Sequence, residues 1–196
     1  MLVDDFMAVY DFHEVHRILI QASPGRIFSA IKSLTPAEIP MLRMMLGIRS
    51  LPAFFAGRAG VCFSGTDPLL EQALGVGFVY LGEDADREIL LGTIGQFWKP
   101  LGGSFPKVAS AQEFLSFSQP GHAKAVINFH IDGGQHDRYV IVSTETRIIT
   151  LDMTSRQKFH RYWRLISPGS ELIRTMLLRA IKRRAEKHSS NRSTSL

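Results

Sequence analysis

The sequence predicts an α+β fold in which a curved antiparallel sheet wraps around one long C-terminal helix. Three observations predict this fold. An apolar stripe with helical spacing runs through residues 154–188. Segments of strand length come in pairs joined by short polar or glycine-rich turns, as in antiparallel hairpins. One strand and two short helices precede these hairpins. A sheet and a helix that each have one apolar face can bury those faces against each other.

The composition is that of an ordinary globular protein, with 45% hydrophobic and 21% charged residues in a chain of 196. We expect a single domain over residues 1–188 and a disordered polar tail over residues 189–196. The acidic N-terminus lacks the features of a signal peptide, and no apolar run reaches the roughly 18 residues of a membrane-spanning helix. The single cysteine, Cys62, has no partner for an internal disulfide, so a cytoplasmic protein is expected.

The first half of the chain is expected to alternate a strand with short helices. A strand is predicted over residues 13–22 because of its length and its β-branched content. A Ser-Pro start predicts a helix over residues 24–33, and a capping box with proline opens a second helix over residues 35–47. Residues 48–66 are rich in glycine, alanine and phenylalanine and predict no element.

The middle of the chain predicts two hairpins and two small helices. An Asp-Pro start predicts a short helix ending near Leu74, and a second capping box at Ser110 and Glu113 opens a small helix that ends by Pro120. The strands of the hairpins are expected over residues 77–82, 87–99, 123–132 and 138–151.

The final helix is expected to be bent and roughly 50 Å long at 1.5 Å per residue. Thr154 and Gln157 match a capping box at its start. Pro168 removes one backbone donor, which predicts a kink within residues 167–169. Residues 151–196 hold eleven Lys or Arg against three Asp or Glu, so the net positive charge of the chain is concentrated here. These cations suit a solvated helix end, or alternatively an anionic lipid surface or nucleic acid; no specific nucleic-acid partner is expected.

The opening strand is followed by ILIQASPGRIFSAI, and later segments read REILLGTIGQFWKP, STETRI and FHRYWRLISPGSELIR. With the order of elements over nearly the whole chain, these segments resemble uncharacterised bacterial members of the START-like, or SRPBCC, superfamily, which includes polyketide cyclases and pollen-allergen proteins. The resemblance implies a helix-grip fold. It also implies a deep cavity between the sheet and the final helix for an apolar or amphipathic small molecule. Many members bind such molecules without catalysing a reaction.

Several apolar side chains are candidates to line such a cavity. Alternation places Ala125, Ile127, Phe129 and Ile131 on one face of their strand and Lys124, Asn128 and His130 on the other. The same aromatic residues would serve equally well as a packed core. The candidate lining residues are Phe97, Ile127, Phe129, Phe159, Tyr162 and Trp163.

Glu145 and Arg147 are the candidate polar end of the same cavity. They alternate on one strand face with apolar neighbours, and the planar guanidinium of Arg147 would suit a ligand carboxylate. The alternative is that this face points away from the helix while Val140, Val142 and Ile148 point toward it.

No catalytic, cofactor or metal-binding motif is present in the sequence. The histidines do not cluster, and His13 and His16 are expected on opposite faces of one strand. Three hypotheses follow: a module that binds an apolar or amphipathic small molecule, a cyclase or hydratase that uses Glu145, Arg147 and Tyr162, and a protein that associates with anionic surfaces. Whether a reaction is catalysed and which oligomer forms stay open.

Overall fold

The computed structural model of the protein describes residues 1–39, 64–99, 103–134, 137 and 139–190, the last three without their side chains. It confirms the α+β class: a five-stranded antiparallel sheet packs against a long C-terminal helix, and the sheet is open. Within the described residues, the helices are α1 (Leu2–Phe6), α2 (Pro24–Ser33), α3 (Leu69–Gly75), α4 (Ala111–Ser116) and α5 (Met153–Ser190). The strands are β1 (Phe12–Ile20), β2 (Phe78–Asp84), β3 (Glu88–Gly95), β4 (Ala123–Asp132) and β5 (Val140–Thr150).

The strands are arranged in the order β1-β5-β4-β3-β2, so β2 to β5 pair in sequence order and β1 is added beside β5 at the edge. Both faces of this sheet are covered. The inner face carries Val140, Val142 and Ile148 and packs on α2 and α5. The outer face carries Leu90 and Val126 and packs on α1 and α4. Strands β3 and β4 and the middle of β5 therefore bury side chains in both directions, which is why they show little alternation of polar and apolar residues.

Helix α5 is one continuous helix with Pro168 inside it. The predicted capping box at Thr154 is wrong. Asp152 accepts the N-terminal hydrogen bonds instead, from the Ser155 backbone N–H at 2.9 Å and from the Ser155 hydroxyl at 2.5 Å. Asp152, two residues before Thr154, is the N-cap because a carboxylate is a stronger acceptor for the helix N-terminus than a threonine hydroxyl.

The basic end of α5 is tied to the rest of the fold. The ammonium group of Lys182 donates to the Leu19 carbonyl at 2.8 Å, and Arg184 contacts the Glu38 carboxylate at 2.5 Å. Arg26 of α2 donates to the carbonyl of Ala185 in the same region at 2.8 Å. Several of these cations therefore hold β1 and the 3-10 turn Pro36–Glu38 against the helix.

The other predicted elements agree with the structure to within a few residues, and α2 has the predicted bounds. The capping box of Thr35 and Glu38 is present. The small helix after it starts one residue later than predicted, with Pro68 preceding its first turn. Sequence analysis missed α1, a single turn with no cap signal. The predicted helix up to Gly47, most of residues 48–66, Cys62 and residues 191–196 lie outside the described residues. No described helix is both long enough and apolar enough to cross a membrane.

Candidate functional site

Glu145 and Arg147 lie on the outer face of the sheet, away from α5. The Arg147 Nε donates to the Glu145 carboxylate at 2.5 Å, and its terminal nitrogen donates to the Met7 carbonyl at 2.9 Å and pairs with Asp4 at 2.8 Å. His13 contacts the same Glu145 carboxylate at 2.7 Å. This is the second of the two orientations that the sequence allowed, and it places the pair apart from the aromatic residues predicted to share a cavity with it.

The outer-face polar residues form a network that fastens the N-terminal segment. The Asn128 side chain accepts from the Glu145 backbone N–H at 2.9 Å and donates to Glu88 at 2.8 Å. Glu88 in turn accepts from the backbone N–H of Leu2 at 2.8 Å. Burial by itself would lower the pKa of Arg147, but its hydrogen bonds to two carboxylates outweigh that effect and raise the pKa. A fully paired network of this kind is structural: it satisfies buried charges and holds α1 on the sheet.

The predicted aromatic residues do come together on the inner face. Phe97, Tyr162 and Trp163 surround the buried ring of Phe159, with ring centroids 6.2, 5.8 and 5.8 Å from it. Phe129 lies farther along the sheet, in the larger cluster that contains α2. The six predicted lining residues are thus all on the side that faces α5, with Ile127 on β4 between Ala125 and Phe129.

A half-buried polar cluster lies between these two apolar clusters, where β1 meets α5. The Glu14 carboxylate contacts His16 Nε2 at 2.6 Å and accepts from the Ser170 hydroxyl at 3.1 Å. The Arg174 Nε lies 3.6 Å from the same carboxylate and donates to the Ser170 hydroxyl at 3.3 Å. Because a carboxylate only accepts, the hydrogen of His16 is on Nε2. Burial lowers the pKa of Arg174, and the nearby Glu14 charge opposes that shift.

Two threonine hydroxyls complete the polar cluster from β5. Thr144 and Thr146 are 0% and 3% exposed, and neither hydroxyl has a hydrogen-bond partner among the protein atoms. The strand register places Thr146 directly opposite Glu14 and Thr144 directly opposite His16, on the inner face. A buried hydroxyl without a hydrogen-bond partner lowers the stability of the fold by about 1–3 kcal/mol, so two such hydroxyls close together are unusual in a folded core.

Residues paired across neighbouring strands form two rows on the inner face, one through Thr146 and one through Thr144. Each row is polar on β1 and β5 and apolar on β4 and β3. On β4, the neighbour of Thr146 is Ile127 and the neighbour of Thr144 is Phe129. On β3, those rows continue with Leu91 and Ile89. A molecule lying across the rows would therefore contact hydroxyls, a carboxylate and an imidazole at one end and aliphatic or aromatic groups at the other.

The part of α5 above these rows is only half-buried. Phe159 and Leu178 are 1% and 2% exposed, but no α5 residue from His160 to Leu177 is buried. At 1.5 Å per residue this stretch is roughly 27 Å long. The helix is therefore buried at both ends of this stretch and half-buried over the polar cluster.

The arrangement of the polar cluster does not match nucleophilic catalysis by serine. In the serine triad the histidine stands between the hydroxyl and the acid, whereas here the Glu14 carboxylate stands between Ser170 and His16. What the groups can do is hold the polar part of a molecule, since hydroxyls, a guanidinium and a carboxylate converge on one place.

Sequence analysis placed the residues of the polar cluster in strands and in the final helix, but it identified none of them as a site residue. The signal was present in the alternation of β1, where Glu14 and His16 interrupt a face that otherwise carries Phe12, Ile18 and Ile20. The predicted placement of His13 and His16 on opposite faces of β1 is confirmed, because His13 contacts Glu145 on the outer face.

Two surface grooves lie elsewhere. One, of about 400 Å³, lies at the start of α5, and the other, of about 330 Å³, lies beside α1. The described residues hold no group of three or more His, Cys, Asp or Glu side chains placed to bind a metal ion. The first groove is lined by Asp11, Phe12, Met153, Arg156, Gln157, His160 and Arg161.

Comparison with models of known protein families and with curated proteins finds no match for this chain. The resemblance to the START-like superfamily therefore stays a prediction.

Proposed function

We propose that the protein binds an amphipathic small molecule between the inner face of the sheet and α5. The observation that carries this proposal is the pair of buried hydroxyls of Thr144 and Thr146, which have no protein partner and face the half-buried stretch of the helix. A ligand that bonds to these hydroxyls would remove their desolvation cost on binding.

The surroundings of the two hydroxyls support an amphipathic rather than a wholly polar ligand. Ile127 and Phe129 flank the hydroxyls on β4. Tyr162 contacts Phe159 edge-on and Trp163 stacks on it, at one end of the inner face. Small-molecule sites commonly combine a mostly apolar lining with a few convergent polar groups. The proposal is for binding alone, since the polar cluster has no arrangement specific to a reaction.

Uptake of an uncharged naphthylamine dye tests this proposal. The purified protein should take up the dye saturably, and an amphipathic ligand should displace it. Ile127→Trp, which adds bulk on the inner face, should weaken dye binding at least tenfold. Ile141→Trp is the matched control, because Ile141 lies on the same sheet but is 43% exposed on the outer side. It should leave dye binding unchanged.

Two results would refute binding at this place. One is the absence of saturable dye uptake by the parent protein. The other is equal dye affinity in Ile127→Trp and Ile141→Trp, which would locate the dye away from the inner face. Circular dichroism of both variants checks that each retains the fold.

A further inference from the structure

We infer that the ligand group held by the polar cluster is uncharged, a hydroxyl or a carbonyl rather than a carboxylate. This inference rests on the proposed function and adds the chemical class of the ligand. It reverses the expectation drawn from Arg147, which lies on the outer face and already pairs with Glu145 and Asp4.

The charges of the cluster are balanced without a ligand. Among its described residues, Arg174 carries one positive charge and Glu14 one negative charge, 3.6 Å apart. The Glu14 carboxylate also has the Ser170 hydroxyl and the His16 imidazole as partners. Because the guanidinium of Arg174 already faces Glu14, a ligand carboxylate would enter next to Glu14 without a guanidinium of its own. Burying an unpaired charge of this kind is unfavourable.

The unsatisfied groups of the cluster are neutral. Thr144 and Thr146 lie two residues apart on one face, so their Cα atoms are roughly 7 Å apart. In this proposal the ligand oxygen would lie between them and form a hydrogen bond with each hydroxyl. Each hydroxyl both donates and accepts, so a ligand hydroxyl or carbonyl completes the set. The apolar part of the ligand would then extend over Ile127 and Phe129, which neighbour the threonines on β4.

Three ten-carbon probes test the inference: decanol, decyl chloride and decanoate. Their affinities are measured by displacement of the naphthylamine dye at pH 8, where decanoate is ionised. Decanol should bind more tightly than decyl chloride, which has the same chain without a hydroxyl. Thr144→Val and Thr146→Val should each narrow that difference by about fivefold, the value of one net hydrogen bond. Both variants keep the shape of the side chain, so they should fold.

Glu14→Gln tests the charge argument separately. It removes the anion and leaves Arg174 without its partner, so decanoate should gain at least about tenfold in affinity over the parent protein. Glu113→Gln is the matched control, because Glu113 belongs to α4 on the outer face and should not affect any probe.

The inference is overturned if the parent protein binds decanoate more tightly than decanol. It is also overturned if the threonine variants leave the preference for decanol over decyl chloride unchanged, or if none of the three probes displaces the dye. In each case, dye uptake that Ile127→Trp weakens would still support the proposed function, so the two claims fail separately.

Discussion

Arg147 of β5 donates a hydrogen bond to the carbonyl of Met7 at 2.9 Å, across 140 residues of sequence. With the pairing of Arg147 to Glu145 and Asp4, this contact makes one guanidinium the anchor of the N-terminal segment. The outer face thus holds a paired polar network, whereas the hydroxyls of Thr144 and Thr146 on the inner face have no protein partner.

Replacement of Arg147 by methionine should destabilise the protein. The change leaves the buried Glu145 carboxylate with His13 as its remaining side-chain partner and frees the Met7 carbonyl. We expect the free energy of unfolding, measured with urea, to fall by about 2–3 kcal/mol. Arg156→Met is the control, because the Arg156 side chain is 52% exposed and pairs with Asp11 at 3.3 Å. Its effect should stay below about 1 kcal/mol. Equal effects of the two changes would contradict the anchoring role.

Asp152 should make stability depend on pH in acid. Hydrogen bonds from the Ser155 side chain and from the backbone N–H of Gly121 lower the pKa of Asp152 from 3.8 to about 2. The pKa is lower in the folded state, so this contribution is complete above about pH 4 and is lost as the pH falls toward 2.

Two variants of Asp152 separate its charge from its capping role. Asp152→Asn still caps α5 and should show a flatter dependence of unfolding free energy on pH between about 4 and 2. Asp152→Ala should lose about 1 kcal/mol at neutral pH. Identical acid profiles for the parent protein and Asp152→Asn would rule out this titration.

Thr144→Val should stabilise the ligand-free protein, because it replaces a buried hydroxyl that has no protein partner with a methyl group of the same size. Thermal or urea unfolding after removal of bound small molecules should show a gain of about 1 kcal/mol. Thr150→Val is the opposite case, since the Thr150 hydroxyl donates to Asp11 at 2.5 Å. That change should cost about 1 kcal/mol. A loss of stability in Thr144→Val would mean that its hydroxyl is already satisfied in solution.

Gly92 of β3 should not tolerate a side chain. A Cβ there would lie 2.8 Å from the side chains of both Leu81 and Phe114, so α4 packs on the sheet through this position. Gly92→Ala should destabilise the protein by about 1–3 kcal/mol through overpacking. Gly75→Ala in α3 has no atom within 4 Å of the new Cβ and should be neutral or slightly stabilising. Urea unfolding of both variants measures the difference.

The fold was predictable because its signals are local. The Ser-Pro start of α2, the hairpin turns and the stripe of α5 each depend on residues close together in sequence. The inner-face position of Ile127 and Phe129 was also predictable, since the polar residues Asn128 and His130 alternate with them.

The polar cluster could not be predicted in the same way. Glu14 meets Ser170 only because β1 lies at the edge under the middle of α5, a contact between residues 156 positions apart. The orientation of β5 was ambiguous for a related reason. Over residues 144–148 both of its faces are buried, by α5 on one side and by the α1 network on the other, so this part of the sequence has no exposed face that would distinguish the two sides.

The position of β1 has a consequence for how the protein folds. Strands β2 to β5 pair in sequence order, and the β2-β3 and β4-β5 hairpins can form from short loops. By contrast, β1 is an edge strand that pairs with β5, more than a hundred residues away. Closing so long a loop is slower and entropically more costly than closing a hairpin. Glu14 and His16 lie on β1, which is expected to pair last, whereas Thr144 and Thr146 lie on β5, which pairs earlier with β4. We therefore expect the polar cluster to be assembled in the last step of folding, so that a folding intermediate can possess most of the sheet and still lack the place where the ligand would bind.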